Sequence, residues 1–189
     1  MLLSDATMSE AEVSINLALY LIRNELVSSD VWVAIDGAQI RTGNTLHFPI
    51  EDFMLENRCI MFETRKEWRG TYRVNNADFN IIIHSTPGKG DVVSKLISGT
   101  DLRVESKKGP LMSDKSSKEY PLMREAIGQL MTIKEYNESD RLAIAVPNSD
   151  KFKKLSQKWK NAPLIKKLSI CFLLVGRNGK VEGIEDILY

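Results

Sequence analysis

The chain has 189 residues, 43% of them hydrophobic and 27% charged, with 11 glycines and 6 prolines, which excludes a disordered, collagenous or disulfide-stapled chain and leaves ample material for one apolar core. The formal net charge of +1 conceals a division, because residues 1–63 carry 10 acids and 3 bases while the remainder carries 15 acids and 23 bases. That asymmetry predicts that the later part meets a polyanion and that the acidic part serves a homodimer or a protein partner.

Val13, Leu17, Tyr20, Leu21 and Ile22 recur at helical spacing within residues 9–27, and Ser9 with Glu12 makes a capping-box start. Residues 31–35 alternate into Asp36-Gly37, and extended runs around 39–41 and 45–48 flank Thr42-Gly43-Asn44, so the three predict a small antiparallel ribbon ended by Pro49. After a connecting segment over 50–58, strands are expected at 59–63, 71–74 and 79–84, then a turn at Pro87-Gly88-Lys89-Gly90. Residues 91–97 and 101–105 flank Ser98-Gly99 as an antiparallel hairpin. Residues 112–119 read as a mobile loop, and Leu122, Met123, Ala126, Ile127, Leu130 and Met131 mark a helix. Residues 141–146 form a buried strand, Asp150 caps a helix that turns Phe152, Leu155 and Trp159 inward, 170–175 form a second buried strand, and Asn178-Gly179 leads into a short terminal one. The sum is a mixed α/β chain with a central mixed sheet flanked by helices. Residues 1–63 are expected to make an acidic helix and ribbon packed on a core of 64–189.

Within 101–107 the two-residue period puts Leu102 and Val104 on one face and Arg103, Glu105 and Lys107 on the other. Asp91 begins the preceding hairpin strand, and in an antiparallel pair the start of one strand lies beside the end of the next. Two carboxylates and a lysine therefore converge. Metal-assisted phosphodiester hydrolysis needs such a set: hard oxygens for Mg²⁺, or Mn²⁺ in its place, and an ammonium to orient the attacking water. Asp91 and Glu105 are the expected metal ligands, with Ser106 as a further one, and Lys107 assists the water.

Gly90-Asp91, Glu105-Ser106-Lys107 and the helix after Pro121 together resemble the PD-(D/E)xK nuclease superfamily, the restriction-endonuclease-like fold, over roughly residues 75–147. The resemblance implies a core of a helix, an antiparallel strand trio, a second helix and another strand. It also implies a Mg²⁺-dependent endonuclease that cuts DNA more often than RNA; the alternative is the same fold kept as a non-catalytic scaffold or DNA-binding subunit. Gln129, in Ala126-Ile127-Gly128-Gln129-Leu130, resembles the helix glutamine of the exonuclease-like branch and joins the catalytic set, and Gly128 would let a backbone approach closely. Two positions depart from the pattern: Gly90 replaces the proline, and Ile133 stands where an aromatic commonly follows the glutamine. Family members often add an acid from the first helix, for which Glu12 and Glu25 are both available.

Residues 150–167 hold seven lysines against one acid. Lys151, Lys154 and Lys158, with Lys108, are expected to track a phosphate backbone. Arg65, Lys66, Arg69 and Arg73 with Trp68 and Tyr72 form a second basic-aromatic stretch, which fits an exposed strand and a nucleic-acid surface equally well. His47 and His84 have no metal-like neighbours and read as structural. The chain has no Ser-His-Asp set, phosphate-binding glycine loop or dinucleotide fingerprint. Cys59 and Cys171 lack any zinc or disulfide spacing. The opening MLLSDATMSEAEV has no basic flank before an apolar run, and no stretch approaches the roughly 18 apolar residues of a membrane span, so a cytoplasmic protein without a membrane partner is expected.

Overall fold

The computed structural model describes residues 6–112 and 118–188. A short β1 (Thr7–Met8) leads into α1 (Glu10–Arg23), whose first turn is capped by the Ser9 Oγ accepting from the Glu12 N–H at 3.1 Å. The helix stops short of Val27 because Asn24 folds its side chain back onto the Tyr20 carbonyl and Glu25 takes φ 56°, leaving Val27 to bridge Leu96. Next come β2 (Val31–Ala34), a single turn α2 (Gly37–Ile40), β3 (Arg41–Thr42), β4 (Thr45–Leu46) and α3 (Ile50–Glu56). A meander follows of β5 (Cys59–Lys66), β6 (Arg69–Val74) and β7 (Asn80–His84), and then the hairpin β8 (Val92–Lys95) and β9 (Asp101–Ser106). The chain ends with β10 (Gly109–Pro110), α4 (Glu119–Leu130), β11 (Arg141–Pro147), α5 (Asp150–Lys160), α6 (Pro163–Lys167), β12 (Cys171–Val175), β13 (Val181–Glu182) and α7 (Glu185–Leu188).

Nine strands make one mixed sheet in the order β13-β12-β11-β9-β8-β2-β7-β6-β5, parallel at β12/β11, β11/β9 and β2/β7. On one face α1 buries Val31, Val33, Val92, Val104, Ala143 and Ala145 in the larger core. On the other, α4 and α5 pack Met123, Ala126 and Phe152 against Leu142, Ile144, Val146 and Phe172. The alternation along β11 thus serves two cores at once, as expected of a strand covered on both faces.

Residues 31–35 do not join a ribbon with 39–48. Asp36 Oδ1 accepts from the Ala38 N–H at 3.0 Å and winds 37–40 into α2, so the ribbon shrinks to β3/β4. β2, with Val31 and Val33 wholly buried, lies instead between β8 and β7. The connecting segment at 50–58 contains a helix, α3, under which Phe53 and Met54 are buried. The N-cap of α5 is Ser149, with Asp150 as its first helical residue, where an acid favours the helix dipole. Residue 63 falls inside β5, so acidic and basic parts share one sheet. Of the loop expected at 112–119, residues 113–117 lie outside the described residues.

With 35–90 set aside, the chain runs α1, then β2, β8 and β9 as an antiparallel trio, then α4, then β11 parallel to β9. Segment 35–90 leaves from β2, returns as β8, and extends the sheet by β7, β6 and β5. Both cysteines are free and buried, and burial pushes each thiol up to about 11. Among the described residues no helix is long and apolar enough to cross a membrane.

Candidate active site

The hairpin register pairs Val92 with Val104, which brings Asp91 opposite Glu105 at the hairpin's open end. The Asp91 N–H donates to the Val104 carbonyl at 2.7 Å and continues the ladder by one residue. Gly90 enters this strand at φ 106°, and a Cβ there would stand 3.1 Å from the Val104 carbonyl oxygen. A proline ring, which fixes φ near about −65°, cannot take that backbone, so the geometry of this turn itself calls for the glycine. On the other side of β9 the Lys107 N–H donates to the Ala145 carbonyl at 2.9 Å, which keeps Lys107 in the alternation and on the face of Glu105.

Asp91 Oδ2 accepts from the Ser106 N–H at 2.8 Å, and Asp91 and Glu105 face each other across the hairpin, close enough for the charge of one to act on the other. Burial pushes Asp91 up to about 6 despite the Ser106 N–H, and pushes Glu105 up to about 8, with the Asp91 charge adding to it. Lys107 is 3% exposed, its Nζ 3.3 Å from Glu10 Oε2 and 3.4 Å from Glu125 Oε1. Burial alone would lower the lysine's pKa, but the carboxylates of Glu10, Asp91 and Glu125 outweigh it and hold the ammonium above its ordinary value. Four acids thus surround one cation, an excess of negative charge that a divalent ion would offset.

Among the described residues no three His, Cys, Asp or Glu side chains are grouped to hold an ion by themselves. Two adjacent buried carboxylates nonetheless suit Mg²⁺, which binds through one or two carboxylates and keeps water or substrate oxygens in its other positions. They do not suit zinc. The Ser106 hydroxyl alternates away from Glu105 and lies buried without a hydrogen-bond partner, so its side chain is no ligand and its main chain is what serves the pair.

The acid that the first helix brings here is Glu10, not Glu12 or Glu25. Glu12 is 1% exposed and bonded to Arg177 Nε at 2.5 Å, and Glu25 is exposed beyond the helix end. Glu10 Oε1 in turn accepts from Gln39 Nε2 at 3.0 Å. Glu125 on α4 is a second residue absent from the sequence reading, although it precedes Gln129 by one turn on the same stripe. Gln129 is exposed, and a Cβ at Gly128 would meet open space, so no backbone packs closely there.

Lys108 is exposed beside Lys107, and Lys154 and Lys158 are exposed on α5, whereas Lys151 is half-buried with its Nζ 3.9 Å from Glu119 Oε2. Lys153 and Lys160 pair with Glu182 and Asp186, each at 2.6 Å, so part of this lysine charge is neutralised in place. Trp68 and Tyr72 are buried, the Tyr72 hydroxyl donating to the Trp68 carbonyl at 2.6 Å. The rings that the arginines reach outside the core are others: Arg65 lies 5.6 Å from the Trp32 ring and Arg73 4.8 Å from the Phe62 ring. His47 is exposed, and His84 packs edge-on to Trp32 at 5.8 Å. Comparison with family models, curated proteins and solved structures finds no match to this chain.

Proposed function

We propose that the chain is a Mg²⁺-dependent nuclease, an endonuclease for DNA, built on a restriction-endonuclease-like core of α1, β2, β8, β9, α4 and β11. The observation that carries the reading is the convergence of Asp91, Glu105 and Lys107 at one end of the β8/β9 hairpin, the two acids on paired strands and the lysine two residues beyond Glu105. Asp91 and Glu105 would hold the ion, which when bound supplies a Lewis acid for a phosphate oxygen and a lowered pKa for water. The Ser106 N–H fixes Asp91 in place. A bound divalent charge would offset the cost of ionising Glu105 beside Asp91, so Glu105 would serve as a ligand in its carboxylate form. Lys107, held by Glu10 and Glu125, stays protonated at neutral pH and acts as a donor toward water or phosphate, not as a base. Lys108 offers a neighbouring phosphate a solvated charge. The acids left exposed on α3, Glu51, Asp52 and Glu56, are those that a homodimer or protein partner would use.

The test is incubation of the protein with supercoiled plasmid and with a labelled single strand, in Mg²⁺ or Mn²⁺ and in chelator, beside Glu105→Gln and Lys107→Met. Metal-dependent cleavage that falls about 10²–10³-fold in each variant is the expected result. A folded protein that cuts neither substrate at millimolar metal overturns the catalytic reading and leaves a DNA-binding subunit.

A further inference from the structure

The face that carries Asp91 and Glu105 continues past the hairpin. β2 runs beside β8, and β7 beside β2, so Asp91, Ala34 and His84 stand abreast on three adjacent strands. Strands are about 4.8 Å apart, which puts His84 about 10 Å from Asp91 along the sheet. The next row holds Val93, Trp32, Ile82 and Thr71, of which Ile82 and Thr71 are buried at the floor of the face, and the one after places Arg73 between Asn80 and Ile60. α4 and α5 cover β9, β11 and β12 but not this part. Trp32 is 40% exposed, Phe62 54% and Ile60 65%.

Two arginines sit over two of these rings, Arg65 on Trp32 and Arg73 on Phe62, and neither makes an ion pair with a described residue. The acid beside them, Glu63, accepts from the Thr71 hydroxyl at 3.2 Å. Arg69 is engaged with Glu67 and Ser85 and adds less. Exposed rings paired with unspent guanidinium charge are the chemistry that holds an unpaired nucleic-acid strand, base on ring and phosphate on cation. A duplex hides its base faces in its own stack, so rings on an open sheet favour a single strand. A second copy of this chain is the other occupant an exposed edge strand invites. A two-fold contact on this face would bring two copies of the same arginine-bearing patch together, and like charges oppose it.

We propose that the open face of β2, β7, β6 and β5 is a platform for single-stranded nucleic acid that delivers a strand to Asp91 and Glu105. Its purpose rests on the nuclease reading; its test does not. The full chain is titrated in chelator, where nothing is cut, with fluorescent oligothymidylate, oligouridylate and a duplex of equal length. Single strands should bind more tightly than the duplex, and the DNA and RNA arms give the preferred sugar. Trp32→Ala, Phe62→Ala and Arg73→Ala should each weaken single-strand binding about 5- to 150-fold, while Trp32→Phe keeps most of it and thermal melting shows all four folded. Unchanged binding in the alanine variants, equal binding of duplex, or a dimer that Phe62→Ala dissolves overturns the proposal. Strand binding that depends on these residues in a protein that cuts nothing would overturn the nuclease reading alone.

Discussion

On the face shared by Asp91 and Trp32, β9 holds Arg103, Glu105 and Lys107 at 8% exposure or less beside strands roofed by α4 and α5, whereas β2 and β5 leave Trp32, Ile60 and Phe62 at 40% or more. Charge is buried in the first half and apolar surface is bare in the second, the reverse of what folding alone favours in each. The buried cations are tolerated because each is answered: Arg103 by Asp140 at 2.6 Å, Lys107 by Glu10 and Glu125. One answer, Asp140, belongs to the scaffold; the others surround a site. Substitutions in the two halves should therefore fail differently.

The largest effect on folding is expected at Arg103→Met. It leaves the Asp140 carboxylate, 2% exposed in its side chain, with only the Asn137 N–H among the described residues. Removing one partner of a buried pair costs about 3–5 kcal/mol, a loss of roughly 6–20 °C in melting temperature for a chain of this size. Phe62→Ser on the open half should cost about 1 kcal/mol at most. Urea denaturation of the two variants side by side measures the contrast, and equal losses would mean that the open half is as much a part of the core as the roofed one.

A smaller effect, and one confined to the roofed half, is the pH dependence of the metal-free protein. Glu105 is raised from 4.5 to about 8 and Asp91 from 3.8 to about 6. Between those limits the folded chain binds more protons than the unfolded one, so stability falls as pH rises from about 4 to about 8. The raised Lys107 does not alter this window, because its contribution is fully present below the unfolded lysine value of 10.5. Glu105→Gln should flatten most of the slope and stabilise the apo-protein above pH 8 by about 1 kcal/mol or more. Millimolar Mg²⁺ should oppose the loss increasingly as pH rises. Denaturation curves at pH 5, 6.5 and 8, with chelator and with Mg²⁺, decide it, and a flat apo profile would show that the carboxyl pair is not strained by its burial.

The hairpin and its trio of side chains were legible because their causes are local: turn residues at Ser98-Gly99 and the two-residue period of 101–107. The place of β2 was not, since a short alternating strand reads the same in a ribbon as beside β8, and the choice lies in contacts with β7 and β8 some 50–60 residues later. The arginines of the open face were visible in the sequence, but the rings beside them were assigned by proximity along the chain. Trp68 and Tyr72 turn into the core, and the rings come from β5, bulged near Phe62, and from β2, three strands further in.

Glu10 and Glu12 show the same limit within one helix turn, and there the smallest effect is expected. Residues two apart on a helix point to nearly opposite sides, so one acid had to face away from the site. Which one depends on Arg177, 165 residues after Glu12. Glu10→Gln keeps the shape and an oxygen that can accept from Lys107, and removes one negative charge near Asp91 and Glu105. Both carboxyl groups should then ionise at lower pH, and the pH midpoint of Mg²⁺-dependent cleavage should move to the acid side by a fraction of a unit, with little loss of maximal rate. If Glu10 is itself a ligand, the midpoint should stay and the Mg²⁺ concentration needed should rise at least tenfold. The pH profile of cleavage at several Mg²⁺ concentrations separates the two, because a positioning acid changes when the site ionises and a ligand changes how tightly it binds.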